Sequence, residues 1–403
     1  MSKFQNNLLY LYVFLTFFIG KSVRSWLHFD FPPTSIIGGI NYLGFPILLI
    51  LFFSLKNKHL LKREWWLIGF SVITIMIEKV LNGSAVIVNI ITNCFEPILL
   101  CCILRCANSK VIGKSGQILT CFFIVECLIA IYEASTRSIL FASLDDDDLL
   151  GMQLWTMRAY SLHGHPLDNG AIVSLMSLFF LITNKFIKKK SQILVALGFY
   201  SLFCFNNRGS VYILGGCCLL YIAYYILQGK ASFLKKILIV TAIAVTVSYV
   251  LVIMSNSDIG NRIFNSAISR NDDSTQGHLA ALYFLDMLDL KGWIFGVPGD
   301  LIYGSFMRKA QAVAVESSFV LYILTYGLIY TLVYFVFLFK FILSFQTGKV
   351  MKYLIALMVF LTLNTCNLIF GASPYIPLVV LCLYCFKTNF KNEVINNSTY
   401  VQR

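Results

Sequence analysis

The sequence predicts an all-α, polytopic integral membrane protein with about twelve transmembrane helices and two long extracytoplasmic loops. Three observations lead to that class. Of 403 residues, 58% are hydrophobic and 13% charged, with 35 Phe and a mean hydropathy of +0.77, far from the balance of soluble domains. The apolar residues gather into runs long enough to cross ~30 Å of hydrocarbon as helices. The basic residues gather into alternate connections between those runs, as the positive-inside rule requires of cytoplasmic loops.

The first run, at about 8–20, follows one basic residue, Lys3, and has no small-residue cleavage site after it, so it reads as a retained signal anchor. Further spans fall at about 35–54, 65–81, 85–104, 116–136, 166–184, 191–205, 210–228 and 237–255, with three more at 317–345, 353–370 and 375–389. Alternate connections carry the basic groups Lys56 to Arg63, Arg105 to Lys114, Lys185 to Lys190, Lys230 to Lys236 and Lys340 to Lys352, and the tail carries Lys387, Lys391 and Arg403. With Lys3 these are 21 of the 32 basic residues, which puts those connections and both termini in the cytoplasm. The net charge of +13 therefore describes a membrane anchor and not a nucleic-acid-binding surface. Residues 1–403 read as one transmembrane domain, with outer loops at 137–165 and 256–316.

Seven of the remaining basic residues are Arg (Arg24, Arg137, Arg158, Arg208, Arg262, Arg270 and Arg308), whereas the inner set holds eighteen Lys and three Arg. Guanidinium is a planar, permanently charged fork that matches phosphate and carboxylate oxygens, so the bias fits an anionic ligand outside the membrane. Arginines that reach up to lipid headgroups would produce the same bias. All twelve Cys fall in or beside apolar runs, which fits buried small side chains and supports neither a disulfide framework nor a His/Cys metal site.

Long loops among short connections are where function concentrates. The first holds Asp145 to Asp148, whose mutual repulsion fits a solvated patch better than a metal site. In the second a helix is expected from Ser274 to Leu290, with Asp273 and Gln276 spaced as a capping box and Leu279, Leu282, Leu285 and Leu290 forming an apolar face. Such a helix would lie along the membrane surface. Its His278 is either a functional residue or an ordinary polar residue of a first turn.

RAYSLHGHPLDNG, residues 158–170, places an Arg, two His and an Asp beside a proline at the mouth of a span. Pro166 suits the first helical turn, His165 the cap, and Asp168 the positive end of the helix dipole, so Asp168 needs no further role. Arg158, His163 and His165 sit where a helix start plus Arg makes an anion site. In FCFNNRGSVYILGG two apolar spans are joined by Asn206, Asn207, Arg208 and Gly209 alone, which holds Arg208 close to membrane depth, where ionisable residues are usually paired or functional.

Taken in order, these features resemble the bacterial O-antigen polymerase (Wzy) and O-antigen ligase family. RAYSLHGHPLDNG is similar to the family's Arg then His-Pro-Asn stretch entering a span, NNRGSVYILGG to its Ser/Asn-Arg-Gly turn, and ESSFVLYILTYGLIYTLVYF to its His-Asn-x-x-Leu then Gly run. The likeness covers roughly residues 155–335, and the first half of the chain matches in hydropathy alone. Where ligases of the family carry a His, this sequence has Glu316 followed by Ser317, and the Asn of the earlier stretch is displaced to Asp168 and Asn169. These departures lean toward a polymerase.

The resemblance implies a glycosyltransferase of GT-C-like architecture in the bacterial inner membrane, with its active face periplasmic. The implied donor and acceptor are undecaprenyl-diphosphate-linked glycans, no metal or other cofactor is needed, and a chain-length-regulating co-polymerase is an expected partner beside the lipid bilayer. Arg158, Arg208 and Arg270 would hold the diphosphate, His163 and His278 would line the substrate site, and Glu316 would be the base, with His165 as its alternate. The rival from another class is a lipid-linked oligosaccharide flippase or secondary transporter, for which Glu96 and Glu126 are intramembrane candidates. No half-to-half repeat is visible and both long loops share one side, which favours surface chemistry.

Overall fold

A backbone that leaves water must bond to itself, and a helix does so within one segment. The computed structural model describes residues 1–29, 43–56, 58, 60–83, 86–141, 158–183, 188–227, 281–310, 315–345, 349–368 and 373–386. Among the described residues all regular structure is helical, with no strand.

Helix α1 (Lys3–Phe18) starts in a capping box, with Gln5 N donating to Ser2 Oγ at 3.2 Å and Ser2 N to Gln5 Oε1 at 2.7 Å. A short α2 (Lys21–Trp26) follows, then α3 (Gly44–Ser54) and α4 (Lys62–Asn82). Helix α5 (Ile87–Cys106) contains a π-helical turn at Ile91–Phe95. Helix α6 (Ser109–Thr136) begins well before its apolar run because Asn108 supplies a cap, its Oδ1 accepting Val111 N at 2.9 Å. Then come α7 (Pro166–Thr183), α8 (Lys188–Cys204) and α9 (Arg208–Leu227). The last group is α10 (Leu290–Phe295), α11 (Ser318–Ser344), α12 (Lys349–Thr365) and α13 (Tyr375–Cys385).

Helices α5, α6 and α11 are each long and apolar enough to cross a membrane, and shorter apolar helices make up α3, α7, α8, α9, α12 and α13. The expected span at 237–255 lies outside the described residues. Helix α13 packs on α5, α6 and α7 with nearly every side chain buried, the fate of a helix that is apolar all round. Helix α7 is likewise buried from Asn169 to Phe180, between α8 and α9.

Contacts sort the helix termini into two ends. At one, Gln5 Nε2 donates to Ser54 O at 2.8 Å, and Arg105 forks onto Glu64, with Nη1 to Oε1 at 2.7 Å and Nη2 to Oε2 at 2.5 Å. Trp65 and Trp66 lie exposed beside that pair. The other end gathers the C-termini of α6, α8 and α12 and the N-termini of α7, α9 and α11.

Helix α11 carries a ladder of tyrosines four residues apart. Tyr322, Tyr326, Tyr330 and Tyr334 are buried and joined by ring contacts, and three of the hydroxyls reach neighbouring segments. Tyr330 pairs with Ser71 at 3.1 Å, Tyr326 donates to Val86 O at 2.5 Å, and Tyr334 donates to Asn93 O, in the π-helical turn, at 3.0 Å. Packing against α4 and α5 thus accounts for this part of the motif.

The described residues between 281 and 315 build a small core of their own on α11, from Ala281, Phe284, Val297, Ile302, Phe306 and Val315 against Val320, Leu321 and Leu324. Helix α11 breaks at Gly327, whose φ of 80° and whose contact with α10 both demand glycine, since a Cβ there would sit 2.0 Å from Ile294 O. The helix expected to reach Leu290 ends earlier, at residue 286, because Asp289 caps α10 through Gly292 N at 2.7 Å. Ala281 and Phe284 face the protein, while Leu282 and Leu290 of the expected apolar stripe are exposed.

Candidate active site

The stretch after residue 157 is held by helix termini on every side. Ala159 N donates to Cys204 O, the last residue of α8, at 3.0 Å. Glu133, near the end of α6, receives Tyr160 N at 2.7 Å and Ser161 N at 2.9 Å on Oε2, and Leu140 N at 2.9 Å on Oε1. Two turns deeper, Glu126 Oε2 receives Leu162 N at 3.3 Å. Ser161 adopts φ 45°, a left-handed conformation for a buried, non-glycine residue. Asn169 Nδ2 donates to Tyr160 O.

As the sequence led one to expect, His165 caps α7: its carbonyl accepts Asn169 N at 3.1 Å, and Pro166 and Asp168 lie in the first turn. Its side chain is exposed, whereas His163 is buried with its ring 5.8 Å from that of Phe122. Helix α2 lies directly on this loop. A Cβ at Gly20 would come within 2.2 Å of Leu162 O and 2.9 Å of His163 Nδ1, so the approach depends on glycine.

That approach brings in Arg24 and a cation the sequence reading left aside, Lys21. Lys21 acts on both His165 and Asp168, and Arg24 acts on His163. Burial holds the His163 imidazole down at about 3; the Arg24 charge pushes the same way, and the Phe17 carbonyl, which accepts its N–H, opposes them. The protein packed round His165, then the charges of Arg158 and Lys21, hold it at about 4. The exposed face of His165 lets solvent screen part of that effect, so the shift at His163 is the firmer one. Both imidazoles are neutral at pH 7.

Arg208 is the first residue of α9, so the connection expected to include Arg208 and Gly209 is only Phe205, Asn206 and Asn207. Asn206 takes φ 52°. Asn207 ties two helices together: its Oδ1 accepts Ser210 N at 3.2 Å and its Nδ2 donates to Leu167 O of α7 at 3.3 Å. A Cβ on Gly209 would lie 3.5 Å from Thr365 Oγ1, which sets Arg208 beside the end of α12.

Glu316 stands just outside α11. Ser317 is the N-cap, with its Oγ accepting Val320 N at 3.4 Å and donating to Asn364 Oδ1 at 3.3 Å, which puts Glu316 just ahead of the helix, beside the positive end of its dipole. Ser318 Oγ donates to Cys366 O at 2.8 Å and accepts Leu368 N at 3.1 Å. The Cys366 thiol beside them feels the charges of Arg158, Asp168 and Glu316 together. Three stretches far apart in sequence therefore meet at one end of the bundle, bringing Arg158, His163, His165, Arg208 and Glu316 into one neighbourhood. Arg158, Arg208 and Glu316 are each partly exposed. Arg270, His278 and the Asp145 to Asp148 run lie outside the described residues. Among the described residues no group of three or more His, Cys, Asp or Glu is arranged to hold a metal ion.

Reading the sequence missed Lys21 and Glu133, and took Asn207 only as part of a short connection. Glu126 and Glu133 carry a signal in hindsight, since a spacing of seven puts both on one face of α6. No protein-family model and no curated protein matches the chain.

Proposed function

We propose that the chain is a polysaccharide polymerase of the O-antigen, capsule or exopolysaccharide kind, joining undecaprenyl-diphosphate-linked repeat units at the outer face of a bacterial inner membrane. The observation that carries this reading is the meeting of Arg158, Arg208 and Lys21 with a carboxylate, Glu316, and a neutral imidazole, His165, at one end of an apolar helical bundle. The number of spans, about twelve, rests on the apolar runs, and the orientation, with this end outside and both termini cytoplasmic, on the lysine distribution.

A diphosphate is a good leaving group once its charge is stabilised, and guanidinium forks supply that stabilisation without a metal. The acceptor sugar hydroxyl attacks the anomeric carbon of the donor. The bond from that carbon to the diphosphate oxygen breaks, its electron pair leaves on the diphosphate held by Arg158 and Arg208, and the hydroxyl proton passes to Glu316. His165, uncharged at pH 7, is the alternate acceptor of that proton. The apolar helices offer the prenyl chains a hydrocarbon surface, and a chain-length-regulating partner would act from the same side.

Transport is less well supported, because its candidate carboxylates have structural partners. Glu96 Oε1 accepts the Tyr12 hydroxyl at 2.8 Å, and Glu126 holds the loop. The deciding experiment deletes the gene and separates the surface polysaccharide on a gel. Loss of long chains with single repeat units still attached is the expected result. Loss of all attachment would make the protein a ligase, and repeat units stranded on the cytoplasmic side would make it a flippase.

A further inference from the structure

Successive backbone N–H groups that converge around a left-handed residue form a concavity that binds anions. The turn at Tyr160, Ser161 and Leu162 is such a nest, with Ser161 at φ 45°. Nests are often filled by a phosphate or another ligand. Here two carboxylates of α6 fill it from inside: Glu133 takes Tyr160 N and Ser161 N, and Glu126 takes Leu162 N. Glu133 is 3% exposed and Glu126 0%. Burying a carboxylate is strongly unfavourable unless bonds to its oxygens compensate, and hydrogen bonds to a charged group are the stronger kind.

A second feature gives the clamp a consequence for the site. Arg158 lies two residues before the nest and His165 three after it, and both have exposed surface, while His163 between them is buried. The turn therefore decides which of these side chains reach the surface. With its N–H groups already engaged, an incoming diphosphate must be met by side chains.

We infer that Glu133, with Glu126 behind it, is a positioning residue: by filling the backbone nest of the 160–162 turn from the membrane side, it holds Arg158 and His165 at the surface of the site. The consequence for turnover rests on the polymerase reading, but the clamp itself does not. Glu133→Gln is a sharp test, because both carboxylate oxygens accept N–H groups and an amide puts its own N–H2 against one of them. Glu133→Asp keeps both acceptors on a shorter stem.

The first arm follows amide hydrogen exchange of residues 158–164 in the full-length protein in lipid nanodiscs. Losing a charge-assisted bond should speed exchange at Tyr160 and Ser161 about tenfold or more in Glu133→Gln, with Glu133→Asp intermediate and the amides of α8 unchanged. Glu126→Gln, which touches one N–H, should affect Leu162 alone, and it serves if Glu133→Gln does not fold. Unchanged protection at all three amides would overturn the clamp.

The second arm measures polymer formation by the same preparations. Glu133→Gln should raise KM for the lipid-linked donor and lower kcat/KM by about tenfold or more. Glu133→Ala should regain activity with added formate or acetate but not with formamide. A purely structural residue would reduce the yield of folded protein, leave KM unchanged in what remains and show no carboxylate-specific rescue, and that outcome would remove the positioning role. Full activity in Arg158→Ala and Arg208→Ala would instead sink the polymerase reading while the exchange result still judged the clamp.

Discussion

At the lysine-rich end of the bundle Glu64 receives both prongs of Arg105 besides Leu61 N, whereas at the opposite end Glu133 receives backbone N–H groups. Both carboxylates are buried. In the first case the carboxylate answers a cation, so the charge is resolved inside the protein and the contact fastens α4 to α5. In the second the carboxylate answers the backbone, and the charge at that end is set by Lys21, Arg24, Arg158 and Arg208 beside Glu316. The same residue types thus make a closed fastening at one end and a partly exposed cluster of charges at the other.

Breaking the fastening should have the largest effect. Glu64→Gln leaves a largely buried guanidinium without its charge partner, at a cost of about 3–5 kcal/mol. Thermal unfolding in detergent should show the loss, while polymer formed per folded molecule stays near wild type. A normal melting temperature with failed activity would mean that the two ends are not separable in this way.

Glu316→Gln sharpens the contrast from the other side. It keeps the shape and removes the basicity, so the rate should fall about 10²-fold or more with donor binding nearly intact and stability unchanged. A wild-type rate beside an inactive His165→Ala would move the proton acceptor to His165.

Much of the loop end was legible in the sequence for local reasons. Pro166, Asp168 and the cap at His165 announce a helix start by residue type alone, and Arg158 and Arg208 stand out because the expected outer surface uses Arg where the inner uses Lys. Glu126 read as a membrane-depth carboxylate because hydropathy gives depth and not partners; its partner, Leu162 N, is a backbone group thirty-six residues away. Lys21 joins the site only because Gly20 lets α2 touch the loop, and the break at Gly327 follows from the contact with α10, so neither leaves a periodic trace. The expected end of the surface helix at Leu290 failed for a local reason, since Asp289 starts a new helix there.

A smaller effect follows from the buried imidazole. Unfolded His titrates near 6.5 and His163 at about 3, so between those values the unfolded chain binds a proton that the folded one refuses. Stability should therefore be flat above about pH 6.5 and fall as the pH drops through that window, by up to about 1.4 kcal/mol per pH unit. Melting temperatures between pH 7 and 5 test this. His163→Gln should flatten the slope, and an unchanged slope would show that another group dominates. His165 adds a weaker contribution of the same sign because part of it is exposed. The smallest effect is that of a chelator: with arginines stabilising the leaving group, activity should survive EDTA, and abolition with rescue by magnesium or manganese would require a metal at the loop end.

The most direct test reconstitutes the protein with purified undecaprenyl-diphosphate-linked repeat units and compares Arg158→Lys and Arg208→Lys with wild type, measuring chain growth and donor binding separately. Lysine keeps the charge and loses the two-pronged geometry. Wild type should give long chains, and each variant should show a severe loss of both growth and donor binding. Chain growth and binding at wild-type levels in both Lys variants would contradict the diphosphate-holding role of Arg158 and Arg208.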